Sequence, residues 1–428
     1  MRPAFVVHLG YCLGLDSTFG SLFVKPLELL RRAKINADVL CLSAPGEFLR
    51  TRLRVQWRNK KANFPIDISK NITRFPVAPS RLAKCIDESR FLAIAIALRY
   101  QAGLPLILHA IGSRAGFLAV ECKRYFPKRV IYVVFHSLGP TADEYLYRIA
   151  AEEQHDPRCG KACYLKLKTE EDTAYLKADA VICLSQPMVD YAAELRCSLE
   201  SIYKIWCLTD VSMFQYAIAE RDATRRENGW EQNLVIVHSG ALHPWQRPDA
   251  ILKIFKLVQE VEPKSRLLIL TRDRRVMERE LAQSNIGENL YQILSLEFSE
   301  VPKYLAAADI GLLGRGLMEP LSVVNQFSSP IKFSEYLASG CPVVMGEGVG
   351  DFSSIVNKHG LGLVIPQDAN EFTVLDKLRG FLASYRKNKQ DLRAACQSFA
   401  EANLNVQQGV TEYQRIYESL LEGSDIHL

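Results

Sequence analysis

The feature that most limits the fold of this chain is a recurring unit: a short, almost uninterrupted apolar run, a loop, then a helical stretch with one apolar face. Ala4 to Leu9 is the first such run, and Ala37 to Leu42, Pro105 to Ala110, Val130 to Phe135 and Ala180 to Leu184 follow. A strand that is apolar on both sides, not alternating, suits the interior of a parallel sheet covered by helices on both faces. The intervening segments supply those helices, for example through Leu22, Leu27, Leu29 and Leu30, or through Phe117 and Val120. The alternation predicts a parallel α/β domain.

A second series begins after the polar stretch from Glu220 to Asn233. Its predicted strands are Leu234 to His238, Leu267 to Leu270, Ile310 to Leu313, Pro342 to Met345 and Gly362 to Ile365. From about Glu371 the pattern turns helical, with Tyr413, Ile416, Tyr417 and Leu420 at helical spacing. A chain of 428 residues exceeds one ordinary core, so two domains are expected. We place them at 1–208 and 209–395, with a helix over 396–428 crossing back to the first. The fold class is thus α/β, with two Rossmann-like doubly wound domains facing across a cleft where a ligand would sit.

Composition narrows the function. A net charge of +5 is too dilute for a nucleic-acid groove and suits an anionic small ligand or a membrane surface. The eleven cysteines are scattered, apart from Cys159 and Cys163, and no second pair completes a zinc site. No metal is expected there, and no acidic pair in the cleft-lining segments resembles a metal site. Met1-Arg2-Pro3 leads directly into the first strand, and the apolar run Phe91 to Leu98 is too short to span a bilayer. The expected location is cytoplasmic.

The most informative segment is Ser328-Ser329-Pro330-Ile331-Lys332-Phe333-Ser334-Glu335-Tyr336-Leu337-Ala338-Ser339-Gly340-Cys341-Pro342-Val343-Val344. Ser329 reads as an N-cap and Pro330 as the first helical residue, so free backbone N–H groups and a positive dipole end make an anion site suited to a diphosphate. Lys332 and Glu335 lie three residues apart on one face, while Phe333, Tyr336 and Leu337 pack on the other. The ammonium can neutralise phosphate and the carboxylate can accept two hydrogen bonds from a ribose diol. By itself the same string also fits a plain capped helix with an exposed Lys/Glu pair.

Taken whole, the string resembles the donor-binding signature of the GT-B glycosyltransferases of family 4. Ala178 to Ser185, Cys207 to Asp210 with Phe214, Ser239 to Leu242, and Glu300 to Ile310 match further family segments in order. The resemblance implies sugar transfer from a nucleoside-diphosphate sugar to a hydroxyl acceptor (a glycan, a lipid-linked molecule or a small molecule), with retention at the anomeric carbon. It implies no cofactor beyond the donor, and no metal. In the family, the carboxylate at the position of Glu335 binds the ribose, and the helix start, here Ser328, Ser329 and Lys332, faces the phosphates. The loop after the second domain's first strand supplies further groups, here Gly240 and Arg247. Gly10 and Gly14 occupy the loop after the first strand, where backbone approaches donor and acceptor. His136 resembles a histidine near the transferred sugar, with His109 competing for that role; Glu335 and His136 are the catalytic candidates.

One position departs from the pattern. The family often carries a second glutamate eight residues before the first; here that position is Phe327, so either Glu319 or a backbone group substitutes or the sugar contact differs. That departure keeps a non-catalytic nucleotide-sugar-binding or scaffold subunit in view, beside a sugar-nucleotide 2-epimerase. Arg50, Arg52, Arg54, Arg58, Lys60 and Lys61, interleaved with Leu53, Val55 and Trp57, form either a solvated charged face or a contact with anionic lipid. The resemblance keeps the second choice open, since many members of the family act on lipid-linked acceptors, and it implies a peripheral-membrane role in polysaccharide biosynthesis.

Overall fold

A computed structural model of the chain describes residues 5–11, 25–43, 72–76, 87–100, 103–151, 157–196, 199–318 and 322–422. Gly14, Glu319 and the basic stretch from Arg50 to Lys61 lie outside the described residues.

The first sheet contains β1 (Phe5–Tyr11), β2 (Asn36–Ser43), β3 (Ile72–Pro76), β4 (Leu106–Ile111), β5 (Ile131–His136), β6 (Ala180–Cys183) and β7 (Ile202–Lys204), in the spatial order β3-β2-β1-β4-β5-β6-β7. The second contains β8 (Leu234–Ser239), β9 (Ser265–Leu270), β10 (Tyr291–Leu294), β11 (Ile310–Leu312), β12 (Val343–Gly346) and β13 (Gly362–Ile365), in the order β10-β9-β8-β11-β12-β13. All described pairings are parallel. Each order reverses once, between β1 and β4 and between β8 and β11. In doubly wound sheets ligands gather outside the carboxyl ends of the strands at such a reversal.

The interior strands β4, β5 and β6 are buried almost throughout, which is why they read as unbroken apolar runs. Sequence reasoning missed β3, β7 and β10. All three are edge strands, and β7 and β10 are largely half-buried, so they carry no such run. Cys41 also departs from the expected pattern of isolated thiols, being disulfide-bonded.

Four helices position the functional groups: α1 (Thr141–Ala151), α2 (Ile331–Ala338), α3 (Lys389–Asn403) and α4 (Val406–Glu422). The apolar side of α2 is fully buried at Phe333, Tyr336 and Leu337. Phe333 stacks on Phe352 at 4.0 Å, and Gly311 on β11 leaves room for the Tyr336 ring, which a Cβ there would approach to 2.3 Å. The Tyr336 hydroxyl accepts a hydrogen bond from Ser239 N–H at 2.8 Å, pinning α2 against the end of β8.

The chain crosses between the sheets twice, side by side. Thr209 and Asn405 form a parallel bridge, with Thr209 N–H donating to Leu404 O at 2.9 Å and Val406 N–H to Thr209 O at 2.9 Å. After the second crossing α4 lays Val406, Val410, Tyr413, Ile416 and Tyr417 on the first sheet's core. The two halves also touch along one edge. Asp351 accepts from Gln186 N–H and from Trp206 Nε1, and pairs with Lys204 at 3.0 Å. Phe327, on the second half's side of this seam, is inserted into the first sheet's core, with its ring 5.4 Å from that of Tyr191. The departure noted in the sequence thus serves packing between the halves.

Candidate functional site

The carboxyl ends of β8, β9 and β11 and the start of α2 enclose a cavity of about 470 Å3. Its walls differ in character. Leu270, Leu296, Phe298 and Val301 make one region apolar, while Lys332, Arg315, Arg272 and His243 bring basic groups and Glu335 and Asp273 bring carboxylates.

Lys332 belongs to the first turn of α2. That helix opens at Pro330, with no side-chain hydrogen bond capping its first turn, and Pro330 and Ile331 line the cavity with it. Its ammonium donates to Gln246 Oε1 at 3.0 Å and lies 3.5 Å from Ala241 O. Its aliphatic stem passes over Gly240. A Cβ on Gly240 would stand 2.5 Å from Lys332 Cε, and φ of +109° there already favours glycine. Burial, seconded by the positive charge of Arg315, pulls the Lys332 ammonium down to about 7, against the opposing pull of Glu335 and Asp273. An anion entering beside it would restore its charge.

Glu335 follows one turn later, is 3% exposed and lines the same cavity. Asp273 fixes the neighbouring loops by accepting from Leu242 N–H at 2.9 Å. His243 stacks on Trp245 at 4.8 Å, and the Tyr147 ring of α1 meets Trp245 edge-on at 6.4 Å, so the first half of the chain adjoins the cavity here. Burial lowers the pKa of His243, and it is neutral near pH 7.

Of the residues expected from sequence, Gly240, Lys332 and Glu335 come together in this cavity. Others do not. Arg247 adopts a left-handed φ of 48° and turns back onto its own helix start, pairing with Asp249 at 2.7 Å and donating to Leu317 O at 3.3 Å. It is not among the residues that line the cavity. Ser329 is not the N-cap of α2, since Pro330 holds that position. Its hydroxyl instead accepts from Cys207 N–H at 2.8 Å, in the crossing segment. Ser328 donates to Asn325 O at 2.7 Å. Gly10 is buried within β1, not in the loop beyond it.

His136 is the last residue of β5, at the sheet's carboxyl edge, and does not line the cavity. It is buried with His109 and His8 beneath α4, and burial, aided by the charge of His8, pulls its pKa down to about 3. His238 is likewise buried and neutral, with Nδ1 3.0 Å from Leu312 O. Among the described residues no group of three or more His, Cys, Asp or Glu side chains is arranged to hold a metal ion. No helix among them is long and apolar enough to cross a membrane.

The residue that sequence reasoning missed is Arg315. It is 7% exposed, donates to Val324 O at 3.0 Å and lines the cavity beside Lys332. The available signal was the Gly314-Arg315-Gly316 triplet at the carboxyl end of a central strand. A Cβ on Gly314 would lie 1.9 Å from Gln246 O, so this loop must press on the Pro244–Gln246 turn, and Gly316 takes φ of +75°.

No curated protein matches the chain in sequence. Among solved structures, sucrose-phosphate synthase from Thermosynechococcus elongatus is similar over 98% of this chain and 100% of its own, at 16% identity and a TM-score of 0.67. Anabaena HepE in complex with UDP-glucose is similar over 98% and 99%, at 16% identity and a TM-score of 0.63. Trehalose 6-phosphate synthase from Burkholderia multivorans is similar over 99% and 100%, at 12% identity and a TM-score of 0.64. At these identities the likeness establishes the fold, GT-B. Residues 220–400 match the family model described as glycosyl transferases group 1. The chain has the GT-B fold, and its second half resembles the group 1 glycosyl transferases. The matched span runs from before β8 to near the end of α3, and so contains every residue that lines the cavity.

Proposed function

We propose that the cavity beside α2 holds the nucleoside-diphosphate part of a sugar donor, and that the transferred sugar lies toward the first domain, which receives the hydroxyl acceptor. One observation carries this reading: two buried cations, Lys332 and Arg315, share a cavity with an apolar wall and a buried carboxylate. A nucleoside diphosphate has the matching parts. Its flat base suits Leu270, Leu296, Phe298 and Val301, its ribose diol can donate to Glu335, and its phosphates suit Lys332, Arg315 and the first-turn amides of α2.

As the bond from the anomeric carbon to the diphosphate breaks, negative charge gathers on the departing oxygens. Preorganised buried cations stabilise that charge more than water would, without reorganising during the reaction. Lys332 is tuned for this role: half-charged when alone, it becomes fully charged beside the anion. The resemblance supports retention at the anomeric carbon and a glycan or lipid-linked acceptor. A lipid-linked acceptor would place the chain in polysaccharide assembly at a membrane surface, and salt-sensitive co-sedimentation with anionic liposomes is its check.

The test is a thermal-shift and calorimetric panel of uridine, guanosine and adenosine diphosphates and their glucose esters. At least one pair should stabilise the protein, since ligand bound only by the folded state raises stability by mass action. If none binds at millimolar concentration, the reading is wrong.

A further inference from the structure

Where the first half of the chain adjoins the cavity beside α2, a carboxylate stands without a partner. α1 rests on the Pro244–Gln246 turn: Tyr147 meets Trp245 edge-on at 6.4 Å, and Trp245 stacks on His243 of the cavity wall. Glu144 belongs to the first turn of α1. Tyr147 and Arg148 follow it at helical spacing, so the three share one side of the helix. The Glu144 N–H donates to Pro140 O at 2.9 Å, and Oε1 lies 3.2 Å from the place a Cβ on Gly139 would take. The carboxylate therefore lies against the loop that leaves the carboxyl end of β5.

Glu144 is partly buried, and among the described residues its carboxylate has no hydrogen bond and no ion pair. An acidic side chain near a helix start ordinarily caps a free amide or meets a cation, so an unpaired one withdrawn from water needs a reason. Burial raises its pKa, opposed by the charge of Arg315 and then by that of Arg148. Arg315 lines the cavity beside Lys332, close enough to act on Glu144 and too far to bond it. A phosphate drawn to Arg315 thus enters the field of Glu144 as well. The ligand's chemistry supplies the reason. At about pH 8 a nucleoside diphosphate carries about one negative charge more than its glucose ester, because only a free terminal phosphate has a second ionisation, at about pH 6. A fixed carboxylate penalises that additional charge.

We propose that Glu144 is a specificity-determining residue that lowers the affinity for bare nucleoside diphosphate relative to its sugar ester. Lys332 and Arg315 alone would hold the more highly charged diphosphate the tighter, so spent nucleotide would block the site. Glu144 offsets that bias from the domain that receives the acceptor. This rests on the donor reading above.

The experiment is calorimetry of the full chain at about pH 8 and low ionic strength, with the tightest-binding of the uridine, guanosine and adenosine diphosphates and with its glucose ester. Glu144→Gln and Glu144→Ala remove the charge, and Glu144→Asp keeps it. In both neutral variants affinity for the bare diphosphate should rise about fivefold more than affinity for the ester, the size of one like-charge repulsion across a solvated gap. Glu144→Asp should keep the affinity ratio of the unaltered protein within about twofold, and added salt should shrink the effect of the neutral variants. If the ligands bind but the ratio is unchanged in a folded neutral variant, the proposal is overturned and the donor reading stands. A ratio altered as much in Glu144→Asp has the same consequence, and so does failure of both neutral variants to fold, which would assign Glu144 to structure. If neither ligand binds the unaltered protein, the donor reading fails and the proposal falls with it.

Discussion

Binding of a nucleoside-diphosphate sugar to this chain should be linked to proton uptake at Lys332. The perturbation is pH alone. In the free protein burial and Arg315 bring the ammonium to about 7, so it is roughly half charged at neutral pH. A diphosphate beside it removes the penalty and should restore a value near the usual ~10.4. The bound state then carries more protons than the free state at every pH above about 7, so affinity must fall as pH rises. From about pH 7 to 9 the uncharged fraction grows until the loss reaches roughly fiftyfold, about 2.3 kcal/mol. Sugar esters of nucleoside diphosphates are the right probe, because both phosphates are esterified and lack a second ionisation in this range. Calorimetry in buffers of different ionisation enthalpy should report about half a proton taken up near pH 7, approaching one near pH 9. Lys332→Arg should flatten the dependence, since guanidinium stays charged. An affinity that is level across this window, with no proton uptake, would refute the placement of the diphosphate at Lys332.

Three further outcomes are expected. Arg315→Ala should weaken donor binding roughly ten- to a hundredfold, the worth of a charge-assisted hydrogen bond, whereas Arg247→Ala should leave it within about twofold; calorimetry giving the reverse order would reinstate the loop arginine. Phe327→Ala should cost roughly 3 kcal/mol in denaturant unfolding, because the ring fills the first domain's core, and a loss of donor affinity at unchanged stability would instead put Phe327 in the site. Stability should also decline as pH falls below about 6.5: His136 and His238 have folded pKa values near 3, so the unfolded chain binds more protons in that window. A urea midpoint that does not move between about pH 6.5 and 4.5 contradicts this.

The interior of both sheets was readable because strands covered on both faces must be apolar throughout. β4, β5 and β6 show this. β7 and β10 were not, since an edge strand is half solvated and its residues obey no such constraint. The face of α2 was legible for the same physical reason as its core: Lys332 and Glu335 share a side, and Phe333, Tyr336 and Leu337 must take the other. Ser329 misled because its hydroxyl satisfies Cys207 N–H across the crossing, a tertiary demand that local capping preference cannot anticipate. The placement of Arg247 and Arg315 was hidden for a related reason. Asp249, two residues away, and Leu317 O hold the first guanidinium outside the cavity, while the close approach of Gly314 to Gln246 brings the second in. Both arginines look alike in one dimension.

The central claim is that the α2 cavity is where donor is held, and calorimetry of Glu335→Ala tests it most directly. The carboxylate has been placed on the ribose diol, so its removal should cost at least tenfold in affinity for whichever nucleoside-diphosphate sugar binds the unaltered chain, with the unfolding transition preserved. Undiminished affinity in a folded Glu335→Ala protein would mean that the donor is held elsewhere.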